Sequence, residues 1–472
     1  MMEQRGGFLR RTKGRWTMNN SPFSAQRRDA VLYWNELLSS WPEPESAIAN
    51  LLQSQKELDL FLGDRPFCTV ARPRFVTTEE MRQEHRAVPV LARAVRKVRD
   101  AVLDDQKLHA EYLGGFNEWI GTILSMEPRV SEARSILRFD SFTSQNGIRF
   151  VELNGDIPMG SVINDGLVPL FQRLGFYQTF EERYDVRPNL VQIGMIQTFM
   201  HAWQSWGGTG TPRMCILSFP GGIQDLFARL NARDLEKLGL EAGAAHPEEL
   251  DFHGGKLRAK GRVVDLVYRM MHTDDCLERS GEIAPLLQAV KHRAVCMVNP
   301  FRSELLSHKY LFALLTDESH NFGFTKEEAA AIRAHIPWGR ILREGYSTDA
   351  QGNRIDLVEH VRSRKDDLVL KPAHAAGGEG VRLGWRCDDA QWADAVREAV
   401  EGECIVQEKV EVTREEYPLL EKGFPLSEFY EDTDPFHFPG GYSAVLSRIS
   451  SAEITNVAQG GSIVPTFVID AR

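Results

Sequence analysis

Residues 138–158 read RFDSFTSQNGIRFVELNGDIP, and the pattern in this stretch decides how the rest of the chain is read. Two runs, 135–142 and 148–153, carry β-branched or aromatic residues near period two on either side of Ser-Gln-Asn-Gly, which is hairpin-turn chemistry. The spacing predicts an antiparallel pair closed at Asn146-Gly147. Side chains two apart on a strand share a face, so Arg138 projects with Asp140, and Glu152 with Asn154. Closure at that turn sets Asp140 roughly opposite Glu152 and Asn154. Two carboxylates and an amide oxygen on one face are hard ligands of the kind Mg²⁺ takes, with water and nucleotide phosphate completing its octahedron. The hairpin alone also allows a plainer reading, a solvated pair of strands with scattered charge.

The 472 residues exceed one ordinary core and predict two or three domains. Hydrophobic content of 42% and charged content of 26% are those of a soluble globular protein. A net charge of −10 argues against gripping nucleic acid by bulk electrostatics, and no apolar run is long enough to span a bilayer. Neither nucleic acid nor a membrane is therefore an expected partner. Cys68, Cys215, Cys276, Cys296, Cys387 and Cys404 stand singly, without C-x-x-C or metal-ligand spacing. In a large chain lacking a secretory signal they read as reduced thiols in a cytoplasmic protein, a catalytic thiol being the minor alternative. The basic opening stretch lacks an apolar core segment and predicts a disordered tail over 1–20.

Residues 21–130 show three-to-four apolar spacing and predict a helical region, with Thr77-Thr78-Glu79-Glu80 as a helix start. The hairpin belongs to a second part, 131–205, which continues into two helices. Residues 206–300 alternate strand, helix and strand with short links, predicting a Rossmann-like parallel α/β domain. Its first strand runs into Phe219-Pro220-Gly221-Gly222, a glycine turn without the dinucleotide fingerprint. Arg269, at the end of a later strand, reads as an exposed anion anchor or a structural salt bridge. The last part, 301–472, opens with a helix over 303–318 that carries Lys309 near its start.

Within that last part, Lys371 leaves an apolar strand just before His374-Ala-Ala-Gly-Gly-Glu-Gly380. Consecutive glycines let backbone N–H groups approach a phosphate, and a lysine on the adjoining strand can neutralise it. The order differs from a Walker loop, and a strand on each side predicts a flap over a nucleotide, a plain glycine hairpin being the alternative. Glu408, after Ile405-Val406-Gln407, is placed to offer polar groups to an adenine or a ribose.

Together RFD, VELNGD, HKYLFALL, VLKPAHAAGGEGV, IVQEKV and SRISS with NVAQGGSIVP resemble the ATP-grasp superfamily, in its circularly permuted branch that includes glutathionylspermidine synthetase. The resemblance runs from about residue 70 to 468, and the placing of Asp140, Glu152 and Asn154 before Lys309 and Lys371 marks the permutation. It implies a mixed α/β fold: a permuted ATP-grasp with a Rossmann-like pre-ATP-grasp domain and an N-terminal helical layer. It further implies Asp140, Glu152 and Asn154 as Mg²⁺ ligands, Lys309 and Lys371 as nucleotide lysines, and Gly377, Gly378, Glu379 and Gly380 as the phosphate flap. Gln407, Glu408, Lys409 and Val410 would form the adenine hinge. Arg138 would steady the transferred phosphate, with Arg448 as a second such cation. The implied activity is ATP- and Mg²⁺-dependent joining of a small carboxylate to an amine, releasing ADP and phosphate. A phosphotransferase, or a catalytically silent nucleotide-binding protein, is the alternative. The amidase domain of glutathionylspermidine synthetase has no counterpart, and its glutathione-binding residues are not traceable, so the resemblance does not carry the substrates.

Overall fold

The computed structural model describes residues 9–12, 15–18, 24–113, 121–122, 134–144, 147–373 and 377–472. Most of the tail expected over 1–20, the turn residue Asn146 and His374 lie outside them; inside, Leu9–Thr12 pairs antiparallel with Arg15–Met18. Helix α1 (Ala25–Ser39) starts at Ser24, whose hydroxyl accepts from the Arg27 N–H. The region expected to be helical is interrupted by β1 (Arg74–Thr77), buried along its length. Helix α2 (Thr78–Asp104) begins as its sequence predicts, with a capping box in which Thr77 and Glu80 satisfy each other's backbone N–H groups.

Strands β2 (Leu137–Ser144) and β3 (Gly147–Asn154) form the expected hairpin, with Asp140 opposite Glu152 and Arg138 opposite Asn154. The register then shifts so that Ser141 faces Phe150, which leaves Val151 as the extra residue of a β-bulge. Asn299 pins both ends of the hairpin: its Nδ2 donates to the carbonyls of Ile136 (2.9 Å) and Gly155 (2.7 Å), and its Oδ1 accepts from Ile136 N–H. Gly155 has to be glycine, because a Cβ there would sit 2.6 Å from the Ser303 carbonyl oxygen.

Strands β4 (Met214–Leu217), β5 (Ala242–Ala245), β6 (Leu266–Arg269) and β7 (Cys296–Val298) form the anticipated parallel sheet, in the order β5-β4-β6-β7. A small antiparallel sheet over 250–263, between β5 and β6, was not legible in the sequence. Arg269 corrects the expectation of an exposed anchor. It is wholly buried, its Nη2 2.5 Å from Asp156 Oδ1 and its Nε donating to the Asn299 carbonyl at 3.0 Å. The reason is that the carboxyl end of β6 is covered by the chain leaving β3. Thr273 also donates to Asp156 from N–H (3.0 Å) and Oγ1 (2.7 Å), so the aspartate of VELNGD bolts the hairpin to the parallel sheet.

The single helix expected over 303–318 is two pieces, a 3₁₀ turn (Phe301–Leu306) and α3 (Lys309–Leu314). Strands β8 (Gly339–Ile341), β9 (Leu368–Pro372), β10 (Arg382–Leu383) and β11 (Cys404–Glu408) make an antiparallel sheet ordered β8-β11-β9-β10. Then come β12 (Arg414–Pro418), β13 (Leu426–His437), β14 (Val445–Ser450), β15 (Ser462–Val464) and β16 (Thr466–Ala471). The largest sheet runs β15-β14-β13-β2-β3, with β12 also on β13, so the hairpin completes a sheet whose other strands come from the end of the chain. Strand β16 pairs parallel with β1, tying the last residues to the first third of the chain.

Strand β13 escapes sequence reading, because EFYEDTDPFH is acidic and contains proline, both disfavoured in strands. Three of its four acids, Glu431, Asp432 and Asp434, are buried against arginines. Glu431 points to one face, where its carboxylate meets Arg27 (2.8 Å), Arg74 (3.0 Å) and the Tyr417 hydroxyl (2.5 Å). Glu415 on β12 takes Arg27 (2.8 Å) and Arg72 (2.7 Å), and Glu84 on α2 takes Arg74 (3.1 Å). Burial alone would raise the Glu431 pKa; Arg27 and Arg74 overcome it and hold the group at about 2. Among the described residues no helix is long and apolar enough to cross a membrane. Glu431→Gln keeps the shape but leaves buried guanidiniums under-compensated. It is expected to cost about 3–5 kcal/mol, measured as a lower denaturant midpoint, and an unchanged midpoint would remove this network from the account of stability.

Candidate active site

Asp432 and Asp434 point to the opposite face of β13 from Glu431, beside β2 and β14. Arg448 on β14 donates Nε to both oxygens of Asp432 (3.1 and 3.0 Å), and its Nη2 lies 2.9 Å from Asp434 and 2.8 Å from Asp140. Arg138 clamps the same Asp140 from the other side, through Nε (2.8 Å) and Nη2 (3.1 Å), while its Nη1 donates to the Met159 carbonyl (2.9 Å). Asn154, the third residue expected to hold metal, donates Nδ2 to Asp140 at 2.7 Å. Burial works to raise the pKa of Asp140, and the guanidiniums of Arg138 and Arg448 reverse this and hold it at about 2. Three carboxylates here face two guanidiniums. Burial and the neighbouring acids push Asp434 well above the usual carboxylate range.

Both expected lysines reach strand β3. The Lys309 Nζ, on the first residue of α3, is 3.0 Å from Glu152 Oε1, and its N–H donates to the Ala373 carbonyl. The Lys371 Nζ crosses from β9 to donate to the Val151 carbonyl, on the bulge residue, at 3.1 Å, and to Gln407 Oε1 at 2.7 Å. Burial pulls Lys371 down to about 8, partly offset by Glu152. Gln407, expected in an adenine hinge, thus turns its side chain to a lysine. Glu408 and Lys409 commit their N–H groups to the carbonyls of Trp338 (2.8 Å) and Asp367 (2.7 Å). The Lys409 Nζ sits over the Trp385 ring at 4.2 Å, and Val410 is half-buried.

In the glycine turn, Gly377, Gly378 and Gly380 have φ of +68°, +77° and +70°, a region that side-chain-bearing residues rarely adopt. A Cβ on Gly378 would fall 2.7 Å from Ile454 Cγ2, and one on Gly380 2.7 Å from Pro372 Cγ. Glu379 between them is exposed. The Gly377 carbonyl accepts from Gln459 Nε2 at 2.8 Å, which brings in a loop over 451–461 that sequence reasoning missed. Asp432 and Asp434 were missed too, although the alternation in EDTDP, read as a strand, would have placed both on one face.

The site therefore gathers Lys309, Lys371, Arg138 and Arg448 around Asp140, Glu152 and Asn154, beside a turn of glycines. Four cations suit a polyphosphate. The oxygen donors suit Mg²⁺: Asp140 and Glu152 are directly opposite in register, and Glu152, ion-paired among the described residues with Lys309, keeps about a quarter of its side chain exposed. Among the described residues no group of three His, Cys, Asp or Glu side chains could hold a metal, so any ion here would lean on Asn154 and on phosphate oxygens. Burial pushes the thiols of Cys68, Cys215 and Cys276 up to about 12, which leaves them without nucleophilic thiolate at neutral pH.

No family model matches the chain, and no curated protein sequence matches it. In fold it is similar to a glutathione synthetase-like effector from Globodera pallida, at a TM-score of 0.53 and 12% identity over 90% of this chain and 96% of that chain. A proposed gamma-glutamylcysteine synthetase from Methylobacillus flagellatus overlays at a TM-score of 0.41 and 12% identity, over 79% of this chain and 86% of that one, too loosely to carry an argument. The first likeness shows that the mixed α/β fold of this chain is similar to that of the glutathione synthetase-like protein.

Removing Arg448 would leave Asp140, Asp432 and Asp434 with Arg138 alone. The Asp140 pKa, held down by Arg138 and Arg448, would then rise, and those of Asp432 and Asp434, already raised by burial, would rise further, so the loss is greatest at neutral pH and shrinks as pH falls and the acids take up protons. Arg448→Met is expected to cost about 3–5 kcal/mol at pH 7 and clearly less at pH 4, followed by denaturation at both. Equal losses at the two pH values would show that charge is not the cause.

Proposed function

We propose that this protein is an ATP- and Mg²⁺-dependent carboxylate–amine ligase of the circularly permuted ATP-grasp type. The observation that carries this reading is the meeting of Lys309 and Lys371, from two elements of the last part of the chain, on strand β3 of an earlier part, at Glu152 (3.0 Å) and the Val151 carbonyl (3.1 Å). Two further facts support it. The hairpin lies next to strands from the end of the chain, as a permuted order requires. The fold neighbour from Globodera pallida is named a glutathione synthetase-like effector, which favours a ligase over the other readings.

In this reading a substrate carboxylate attacks the γ-phosphoryl of ATP in line, ADP leaves, and an amine then displaces phosphate from the acyl phosphate to give the amide. Lys309 and Lys371 hold phosphate oxygens on the nucleotide side, and Gly377 to Gly380 shield them from water. Arg138 and Arg448 face the transferred group and offset charge that grows in the transition state. Asp140, Glu152 and Asn154 would hold Mg²⁺, which when bound neutralises charge on the β- and γ-phosphates. Gln407 keeps Lys371 aimed at the hairpin, and the segment from Glu408 to Val410 borders the adenine.

Incubation with Mg-ATP and a panel of amino acids, short peptides and polyamines is expected to give ADP, phosphate and an amide detected by mass spectrometry. A phosphorylated acid without amide would identify a phosphotransferase, and ATP binding without ADP a silent binding protein. Asp140→Ala and Glu152→Ala are each expected to lower turnover by at least about a hundredfold, and wild-type rates in either would refute the metal assignment. Lys371 is charged below its pKa of about 8 and neutral above it. ATP affinity by calorimetry is therefore expected to fall between pH 7 and 9 in the wild type. In Lys371→Ala it should be weaker at pH 7, with that fall absent; an identical pH profile in the variant would contradict the role.

A further inference from the structure

We infer, resting on the ligase reading, that Thr455 is a positioning residue. Through Asp432 it fixes the Arg448 guanidinium against Asp140, and its loop, 451–461, is registered at the other end by the glycine turn. Thr455 is buried and donates its hydroxyl to Asp432 Oδ2. That carboxylate receives Arg448 Nε through both oxygens (3.1 and 3.0 Å), while Arg448 Nη2 reaches Asp140 at 2.8 Å. A carboxylate on a strand can swing about its terminal torsion. The Thr455 hydroxyl, a donor from a second residue, removes that freedom and passes a fixed orientation to Arg448.

The loop that delivers this hydroxyl is held by polar contacts from several directions. Arg65 donates to the carbonyls of Val457 (2.7 Å), Gly460 (2.8 Å) and Gly461 (2.7 Å). Glu453 accepts from Arg386 Nε (2.8 Å) and Trp385 Nε1 (3.1 Å). At the glycine turn, Gln459 donates to the Gly377 carbonyl at 2.8 Å, and Ile454 packs where only a glycine at 378 leaves room. The segment thus spans from the turn on the nucleotide side to the carboxylate that orients an arginine on the acyl side. A shift of the turn would move Gln459 and, within the same short loop, Thr455.

The test measures ADP release from Mg-ATP with the amino acid and polyamine panel. Thr455→Val keeps the shape and loses the donor; it is expected to lower kcat about tenfold with KM for ATP within about twofold, and Thr455→Ser to restore kcat. Gln459 is exposed, so Gln459→Ala keeps the test open if the valine variant fails to fold; kcat is expected to drop about threefold. The double variant should be no slower than Thr455→Val, because both changes cut one path. Wild-type kcat in Thr455→Val or in Gln459→Ala, a serine variant as slow as the valine one, or a double variant about thirtyfold down would overturn the inference while leaving the ligase reading intact. Absence of ADP formation by the wild type would overturn both.

Discussion

A carboxylate cannot be buried alone, and strand β13 buries three. Glu431, Asp432 and Asp434 are each almost wholly enclosed, so the strand exists only because guanidiniums from α1, β1, β2 and β14 arrive to meet it. Alternation divides the acids between two faces. Glu431 faces Arg27 and Arg74 and joins the first third of the chain to its end. Asp432 and Asp434 face Arg448 and the hairpin. The strand that closes the fold is therefore also the back wall of the site, and the charge balance that stabilises one face is repeated, with one carboxylate in excess, on the other.

That excess shapes the chemistry. On the stabilising face three guanidiniums meet three carboxylates, and their formal charges cancel. On the site face Arg138 and Arg448 both close on Asp140, and Lys309 closes on Glu152, so the cations are paired with the very oxygens proposed to hold metal. In the proposed ligase, a triphosphate with its divalent ion would offer those groups a matching exchange: metal to the carboxylates, phosphate oxygens to the lysines and arginines. The bulge at Val151 contributes by turning a backbone carbonyl out of the ladder, where Lys371 takes it.

Much of this was legible in residues 138–158. Period-two alternation and an Asn-Gly turn fix a hairpin whose register follows from closure, and Asp140 does stand opposite Glu152. The parallel sheet, the capping box at Thr77 and the glycine turn were legible for similarly local reasons. What escaped reading depends on partners distant in sequence. The acidic segment of β13 looks like a loop until Arg27, Arg74 and Arg448 are counted, and they lie up to four hundred residues away. Arg269 looks like an anchor at an open sheet edge until Asp156 is known to cover it. Gln407 looks like part of a hinge until its side chain is seen to hold Lys371.

The glycine turn shows why local chemistry predicts a site better than it predicts a role. The glycines that allow its positive φ values show in the sequence itself. Its neighbours do not. Ile454 and Gln459 lie about eighty residues further along, and their contacts convert a turn that could have been a free hairpin into one registered against the loop that steers Arg448. A pair of lysines and a pair of carboxylates are common on protein surfaces. Their convergence on a single bulged hairpin, with that loop bridging the glycine turn and the arginine wall, is what supports the proposed phosphoryl chemistry over a solvated sheet edge.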